Sequence, residues 1–230
     1  MAETNPFNQE IGEKIENWQT AKFPQNTYLA GRYCCLERLD LTQHGQLLFD
    51  NLLPNVAEWT YLPYGPFATY EDFSHEYSKI IADLESFPFA IINPQTKQPV
   101  GIASYLRINP PQGVIEIGHL HYTQSLQKTA AATEAMYLLM RQAFEELGYR
   151  RYEWKCNALN MPSRKAAERL GFTFEGIFRQ HMIVKGHNRD TAWFSILDKE
   201  WPEIKERLEK WLDPSNFING HQKQGLAMIK

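Results

Sequence analysis

The order of apolar patterns along this 230-residue chain predicts an α+β domain, with one mixed sheet covered by helices. Two observations carry that expectation. Short runs of alternating or continuous apolar residues come first, strand and helix patterns alternate after Val114, and two long runs then return as a hairpin. Glycines also stand where helix ends belong, at Gly148 and Gly171. There is no internal repeat or low-complexity tract, so a single domain is expected over 28–212, with an N-terminal extension at 1–27 and a polar, loosely held C-terminal tail at 213–230.

Taken in order, residues 10–18 suit a short helix and 32–39 a strand; Thr42 resembles the N-cap of a helix running to Phe49. Residues 59–67 are aromatic and punctuated by Pro and Gly, which predicts a structured loop before a helix over 70–84. Runs 87–92 and 100–108 flank a turn at Asn93-Pro94 and read as a hairpin. A second turn at 109–113 leads into a strand over 114–122. From Thr129 onward, Met136, Leu139, Met140, Ala143 and Leu147 recur at helical spacing. Residues 151–156 alternate, with Tyr152, Trp154 and Cys156 on one face and Glu153 and Lys155 expected on a solvated one. Asn160-Met-Pro-Ser163 opens a helix that ends at Gly171. Strands over 172–184 and 191–197 flank the turn 185–188, and an amphipathic helix over 200–212 closes the pattern.

Composition narrows the function classes. Hydrophobic residues make up 43% and charged residues 22%, ordinary values for a globular protein. A net charge of −3 supplies no basic footprint, so a nucleic-acid partner is disfavoured. Glu10, Glu13, Lys14 and Glu16 interrupt the start of the chain, so no secretion signal is expected there, and no run is long enough to cross a membrane. Three cysteines, Cys34, Cys35 and Cys156, cannot all pair, and a reduced cytoplasmic compartment is the simplest expectation.

The informative stretch is 116–172. A strand passes through the polar turn Gln127-Lys128-Thr129 into a helix that begins Ala130-Ala131-Ala132. Such a start exposes unpaired N–H groups and the positive end of the helix dipole, which suits a pyrophosphate. Gln127 to Ala132, followed by Thr133, resembles the pyrophosphate signature of the GNAT superfamily of N-acetyltransferases. The resemblance continues through 143–148, Asn160-x-x-Ser163, Leu170-Gly-Phe-x-x-Glu-Gly176 and Arg179 to Trp201, and is nearest the branch that contains ribosomal-protein N-terminal acetyltransferases.

That resemblance implies acetyl-CoA as cosubstrate, bound by Gln127, Lys128, Thr129, Ala130, Ala131, Ala132 and Thr133, with Asn160 on the pantetheine arm and no metal. It implies direct attack of an amine on the thioester. Ser163 is the candidate proton donor, because the tyrosine that many members carry is replaced by Ala167, and Ala130 replaces the central glycine of the loop. Glu116, eleven residues before Gln127, is the candidate base. His119 and His121 are expected to pack or hydrogen-bond, since no ligand cluster accompanies them. Trp59, Tyr61, Tyr64 and Phe67 are the expected acceptor wall, or else a pin that holds helices on the sheet. The two departures also leave room for a degenerate domain that binds acyl-CoA as a sensor or interaction module. The amine remains open among a protein N-terminus, an amino acid, a polyamine and an antibiotic amine; an α-amine is favoured. Oligomeric state is not legible.

Overall fold

The computed structural model describes residues 3–229. Its centre is an eight-stranded sheet: β3 (Tyr28–Ala30), β4 (Cys35–Arg38), β5 (Phe87–Ile92), β6 (Pro99–Asn109), β7 (Val114–Tyr122), β8 (Arg151–Asn157), β9 (Thr173–Val184) and β10 (His187–Leu197). The strands lie in the order β3-β4-β5-β6-β7-β8-β10-β9. Every neighbouring pair is antiparallel except β7 and β8. A parallel pair needs a crossover, supplied here by α3 (Ala130–Arg141).

The sheet buries both faces. On one, Tyr105, Ile115, Ile117, Tyr152, Trp154, Phe194 and Ile196 pack against α3, α4 (Met161–Leu170) and α5 (Trp201–Leu212). On the other, Ala90, Ile92 and Ile102 pack against α1 (Gln46–Leu52), α2 (Tyr70–Ala82) and the aromatic loop. Alternation along each strand sends odd and even positions to different helix layers, which is why the mixed α+β expectation from pattern alone holds.

Three local expectations need correction. Residues 10–18 form no helix; β1 (Glu3–Thr4) and β2 (Glu10–Ile11) make a small ribbon instead. The chain then crosses the end of the sheet extended, with Trp18 Nε1 donating to Pro111 O at 3.0 Å and Lys22 N to Leu147 O at 2.8 Å. Tertiary partners outweigh a weak local propensity there. The helix expected at Thr42 is capped by Asp40, whose side chain accepts from Thr42 N, and opens with a π-helical turn over Leu41–Gly45. The tail beyond Asp213 is not loose: Leu226 is buried in the core, Asn216 donates to Trp211 O at 3.0 Å, and β11 (Phe217–Ile218) pairs with β12 (His221–Gln222).

One buried carboxylate ties the start of the sheet to its crossover helix. Glu134 of α3 accepts from Arg32 N at 2.8 Å, Tyr33 N at 2.6 Å and Cys34 N at 2.8 Å, so it satisfies the whole turn between β3 and β4. A Cβ on Gly31 would collide with that carboxylate, which is why the turn carries glycine. Glu134→Ala should strand three backbone donors and lower unfolding free energy by about 3–5 kcal/mol. Glu134→Gln, with one acceptor oxygen left, should fall between the two. Urea unfolding midpoints of the three proteins check this, and equal midpoints would refute it.

Candidate active site

β7 and β8 pair over only four positions, from Val114↔Arg151 to Ile117↔Trp154. Beyond these, Gly118 to Tyr122 and Lys155 to Asn157 have no partner in each other, so the sheet opens into a V. On its other side β7 also breaks register: Ser104 pairs with Gly118 and Ile102 with His121, leaving His119 and Leu120 opposite a single β6 residue. His119 takes a left-handed φ of 47° at this bulge. The extra residue reverses the parity of the strand. Ile117 faces the α3 layer, but His119 and His121 both turn to the aromatic loop.

The far end of the opening is the first turn of α3. Lys128 kinks the chain with a φ of 60°, and Thr129 then caps the helix, its hydroxyl donating to Leu126 O at 2.6 Å while accepting from Ala132 N at 3.2 Å. Ala132 is thereby satisfied. The N–H groups of Ala130 and Ala131 remain in a turn where the helix itself offers no acceptor, and methyl side chains leave them approachable. Gln127 turns back, Nε2 donating to Tyr122 O at 3.2 Å, and so ties the turn to the end of β7. Thr133 is buried and accepts from Arg169 at 3.1 Å.

Asn160 caps α4, accepting from Ser163 N at 3.1 Å, and Ser163 Oγ accepts from the Trp154 indole at 3.0 Å. Trp154 belongs to the core on the α3 side of the sheet. Glu116 lies on the opposite side of its strand from Ile115 and Ile117, which belong to that core. Asn160 and Ser163 are therefore grouped with the turn at 127–133, and Glu116 is not; the two sets face each other only through the opening.

Glu116 is buried and held by two cations: Arg107 Nη1 and Lys155 Nζ both contact Oε2, the latter at 2.9 Å. Lys155 also meets Glu153 at 2.7 Å and sits 3.8 Å from the centre of the Trp193 ring. Arg151 contacts Glu153 at 2.7 Å and Glu175 at 2.6 Å. The solvated face expected for Glu153 and Lys155 is thus a buried ionic network, their side chains being only 10% and 6% exposed. The alternation was legible, but it could not tell solvent from a second covered face.

The aromatic loop pins a helix, one of the two roles expected of it. Trp59, Tyr64 and Phe67 pack with Phe73 and Tyr77 of α2, pinning that helix. Trp59 also meets His121 edge to face at 4.1 Å, and the Tyr64 hydroxyl lies 2.7 Å from His119 Nδ1. Gly65 has a φ of 63° and passes so close to the Trp59 ring that no side chain fits. Tyr61 donates to Leu159 O at 3.3 Å, and Lys185, at the tip of the β9–β10 hairpin, donates to Trp59 O at 2.7 Å. The tip of the hairpin is thereby fastened to the aromatic loop. Pattern reading gave no sign of the Lys185 tie or of the Lys155–Trp193 contact.

The mixed sheet parts beside a bulged strand, against a small-residue helix start. Residues 35–173 match the family model of the acetyltransferase (GNAT) domain, more than half of the chain, and the chain belongs to that family of acetyltransferases. A GCN5-related N-acetyltransferase from Brucella melitensis superposes with a TM-score of 0.90 at 44% identity, covering 93% of this chain and 98% of that one. An acetyltransferase of the GNAT family from Chromobacterium violaceum gives 0.80 at 38% identity, over 84% and 96%. An uncharacterized N-acetyltransferase of Bacillus licheniformis, p20, is 31% identical over 49% of this chain and 63% of its own length. YdaF of Bacillus subtilis, provisionally named a ribosomal N-acetyltransferase, is 26% identical over 72% and 90%. No helix among the described residues is long and apolar enough to cross a membrane.

Burial pushes the pKa of His119 down from 6.5 to about 4, with the nearby Arg107 adding to the effect, and burial alone does the same to His121. Both rings are therefore neutral at pH 7. NMR titration of the ring carbons should give midpoints near 4 for both, and midpoints near 6.5 would contradict the burial argument. Between these pH values the unfolded chain binds more protons than the folded one, so stability should be complete above about pH 6.5 and fall as pH drops toward 4.

Proposed function

We propose that the protein transfers an acetyl group from acetyl-CoA to an amine, preferentially the α-amine of a peptide or small molecule, by direct attack within the opening between β7 and β8. The observation that carries this reading is the parting of the parallel pair directly before the capped, alanine-lined start of α3. The donor set fits a pyrophosphate, because two N–H groups at a helix N-terminus point where no bulky side chain stands. Ala130 and Ala131 would hold it, Thr129 would shape the turn, and Lys128 and Gln127 would frame it. Asn160 would meet the pantetheine arm. When bound, acetyl-CoA supplies an activated acyl group whose thiol, with a pKa of about 8.5, leaves readily near neutral pH. Ser163 is the proposed proton donor to that thiol.

At pH 7 a lysine amine of pKa about 10.4 is neutral in fewer than one molecule in a thousand, against roughly a tenth for an α-amine near 8. That difference, about two hundredfold, favours the α-amine where no tyrosine acid assists. Glu116 is the proposed base, oriented by Arg107 and Lys155. The backbone of His119 and Leu120, which has no β8 partner and faces the bulge, is the proposed source of an N–H for the carbonyl oxygen.

Release of free thiol from acetyl-CoA, followed across a panel of peptides, amino acids and polyamines, tests the reading. Turnover is expected for α-amines, and faster turnover of an N-terminally blocked lysine peptide would overturn the α-amine assignment. Binding without release on any amine would favour a sensor instead. Ala130→Asp sets bulk and negative charge at the helix start and should abolish acetyl-CoA binding by calorimetry in a folded protein. Unchanged affinity would remove the pyrophosphate from this turn.

Glu116→Gln keeps the shape of the side chain and removes its basicity. The rate should fall about a hundredfold or more, and the acidic limb of the pH–rate profile should disappear. A normal rate would move the base to His121, whose two ring nitrogens are buried without a partner among the described residues.

A further inference from the structure

The sheet ends on one side at β9, which pairs with β10 alone among the described residues. None of its twelve residues is buried, and Phe174, Ile177, Phe178, Met182 and Ile183 are all exposed. The opposite edge, β3, is only three residues long. Sheets ordinarily protect a long edge with proline, lysine or an inward charge, because unpaired N–H and C=O groups template pairing with another chain. β9 has neither proline nor lysine. Of its two charged residues, Glu175 is already engaged by both terminal nitrogens of Arg151. Two irregularities in the β10 register interrupt it, at Glu175 and from Arg179 to His181.

The regular stretch between them is Gly176-Ile177-Phe178, and its two faces are unlike. Ile177 is the partner of Ala192 and lies on the helix side. Gly176 is the partner of Trp193, and the Phe178 ring packs on that indole at 4.5 Å, so both lie on the other side. Over Gly176 there is open space, where a Cβ would meet nothing within 4 Å. A twofold axis through Ile177, perpendicular to the sheet, therefore sets two copies of the strand antiparallel with matching surfaces. On the helix side Ile177 meets its own image. On the other side each Phe178 ring lies opposite Gly176 of the partner subunit, an aromatic covering an edge glycine. The two irregularities fall on either side of Ile177 and so oppose each other across the axis.

We propose that the β9 edge docks a second copy of this chain, giving a twofold dimer in which Ile177 pairs with itself. The five exposed apolar side chains offer roughly 500 Å² a copy, short of the ~800 Å² of a standard interface, so the dimer forms and dissociates with concentration. An extended segment of another protein would meet the same backbone edge, but a second copy also brings a glycine gap to each Phe178. The β9–β10 hairpin ends at the Lys185 tie to Trp59 O, so the dimer braces the strand that leads into that tie.

Sedimentation velocity of the full chain over a concentration series tests this. The mean mass should rise from monomer toward dimer, and Ile177→Lys and Ile177→Glu should each stay monomeric. Mixed in equal amounts, the two variants should regain the dimer, because opposite charges then meet on the axis. Ile177→Cys should form an intermolecular disulfide on mild oxidation, while Leu84→Cys, at a more exposed position, should not; the three native cysteines are all buried. A wild type that stays monomeric up to its solubility limit would overturn the proposal. So would a dimer untouched by Ile177→Lys, or charged variants that remain apart when mixed. Should the charged variants fail to fold, the two cysteine variants decide, and equal crosslinking of both would sink the Ile177 axis.

Discussion

Two buried carboxylates face each other across the parallel pair, and the Lys155 ammonium bridges them, with Arg107 on Glu116 and Arg151 on Glu153. Glu116 and Glu153 are register partners on β7 and β8, and Lys155 lies between them at 2.9 and 2.7 Å. Like charges directly opposite on neighbouring strands repel, and in a covered sheet there is little water to screen them. Without Lys155 the last paired positions before the opening would be the least stable part of the sheet. With it, β7 and β8 stay joined as far as Ile117 and Trp154 and can then diverge. The paired stretch thus ends just beyond a neutralised carboxylate pair. A buried network of this kind is weak evidence for net stability, since apolar packing could replace it at no loss. Its value here is to fix where the strands part.

The bulge works with that anchor. Were β7 regular, Ile117, His119 and His121 would share a face and the histidines would enter the helix layer. The inserted residue turns both toward Trp59 and Tyr64, and frees backbone on the edge facing the gap. His119 accepts a left-handed φ, as Arg107 does with 46° on the neighbouring strand, each a backbone cost of order 1–3 kcal/mol that only a constrained setting sustains. The strain sits beside Glu116 from both sides.

Much of this was legible beforehand. The strand over Val114–Tyr122, the helix start at Thr129, the Asn160 cap and the glycine ends at 148 and 171 are all local chemistry, written in periodicity and capping residues. What remained hidden depends on partners distant in the chain. Alternation marked Glu153 and Lys155 as opposite to Trp154, but the hairpin that covers them arrives about forty residues later, so they read as solvated. No pattern marks a bulge at His119, because the parity of a strand is set by its neighbour. Nothing local marks Glu134, whose three bonds reach back about a hundred residues.

The opening joins two unlike environments. On the α3 side lie a helix N-terminus, Asn160 and Ser163, groups suited to phosphate, amide and thiol. On the other lie neutral imidazoles, indoles and a closed ionic network. On the proposed reading, acyl donor and amine approach from opposite sides of one sheet, so neither must leave before the other enters. The thiol is a fair leaving group near neutral pH, so a weak proton donor such as Ser163 suffices on this reading. On that reading the protein's task is placement: an anion cradle at one mouth and two strands that part at a fixed point beside it.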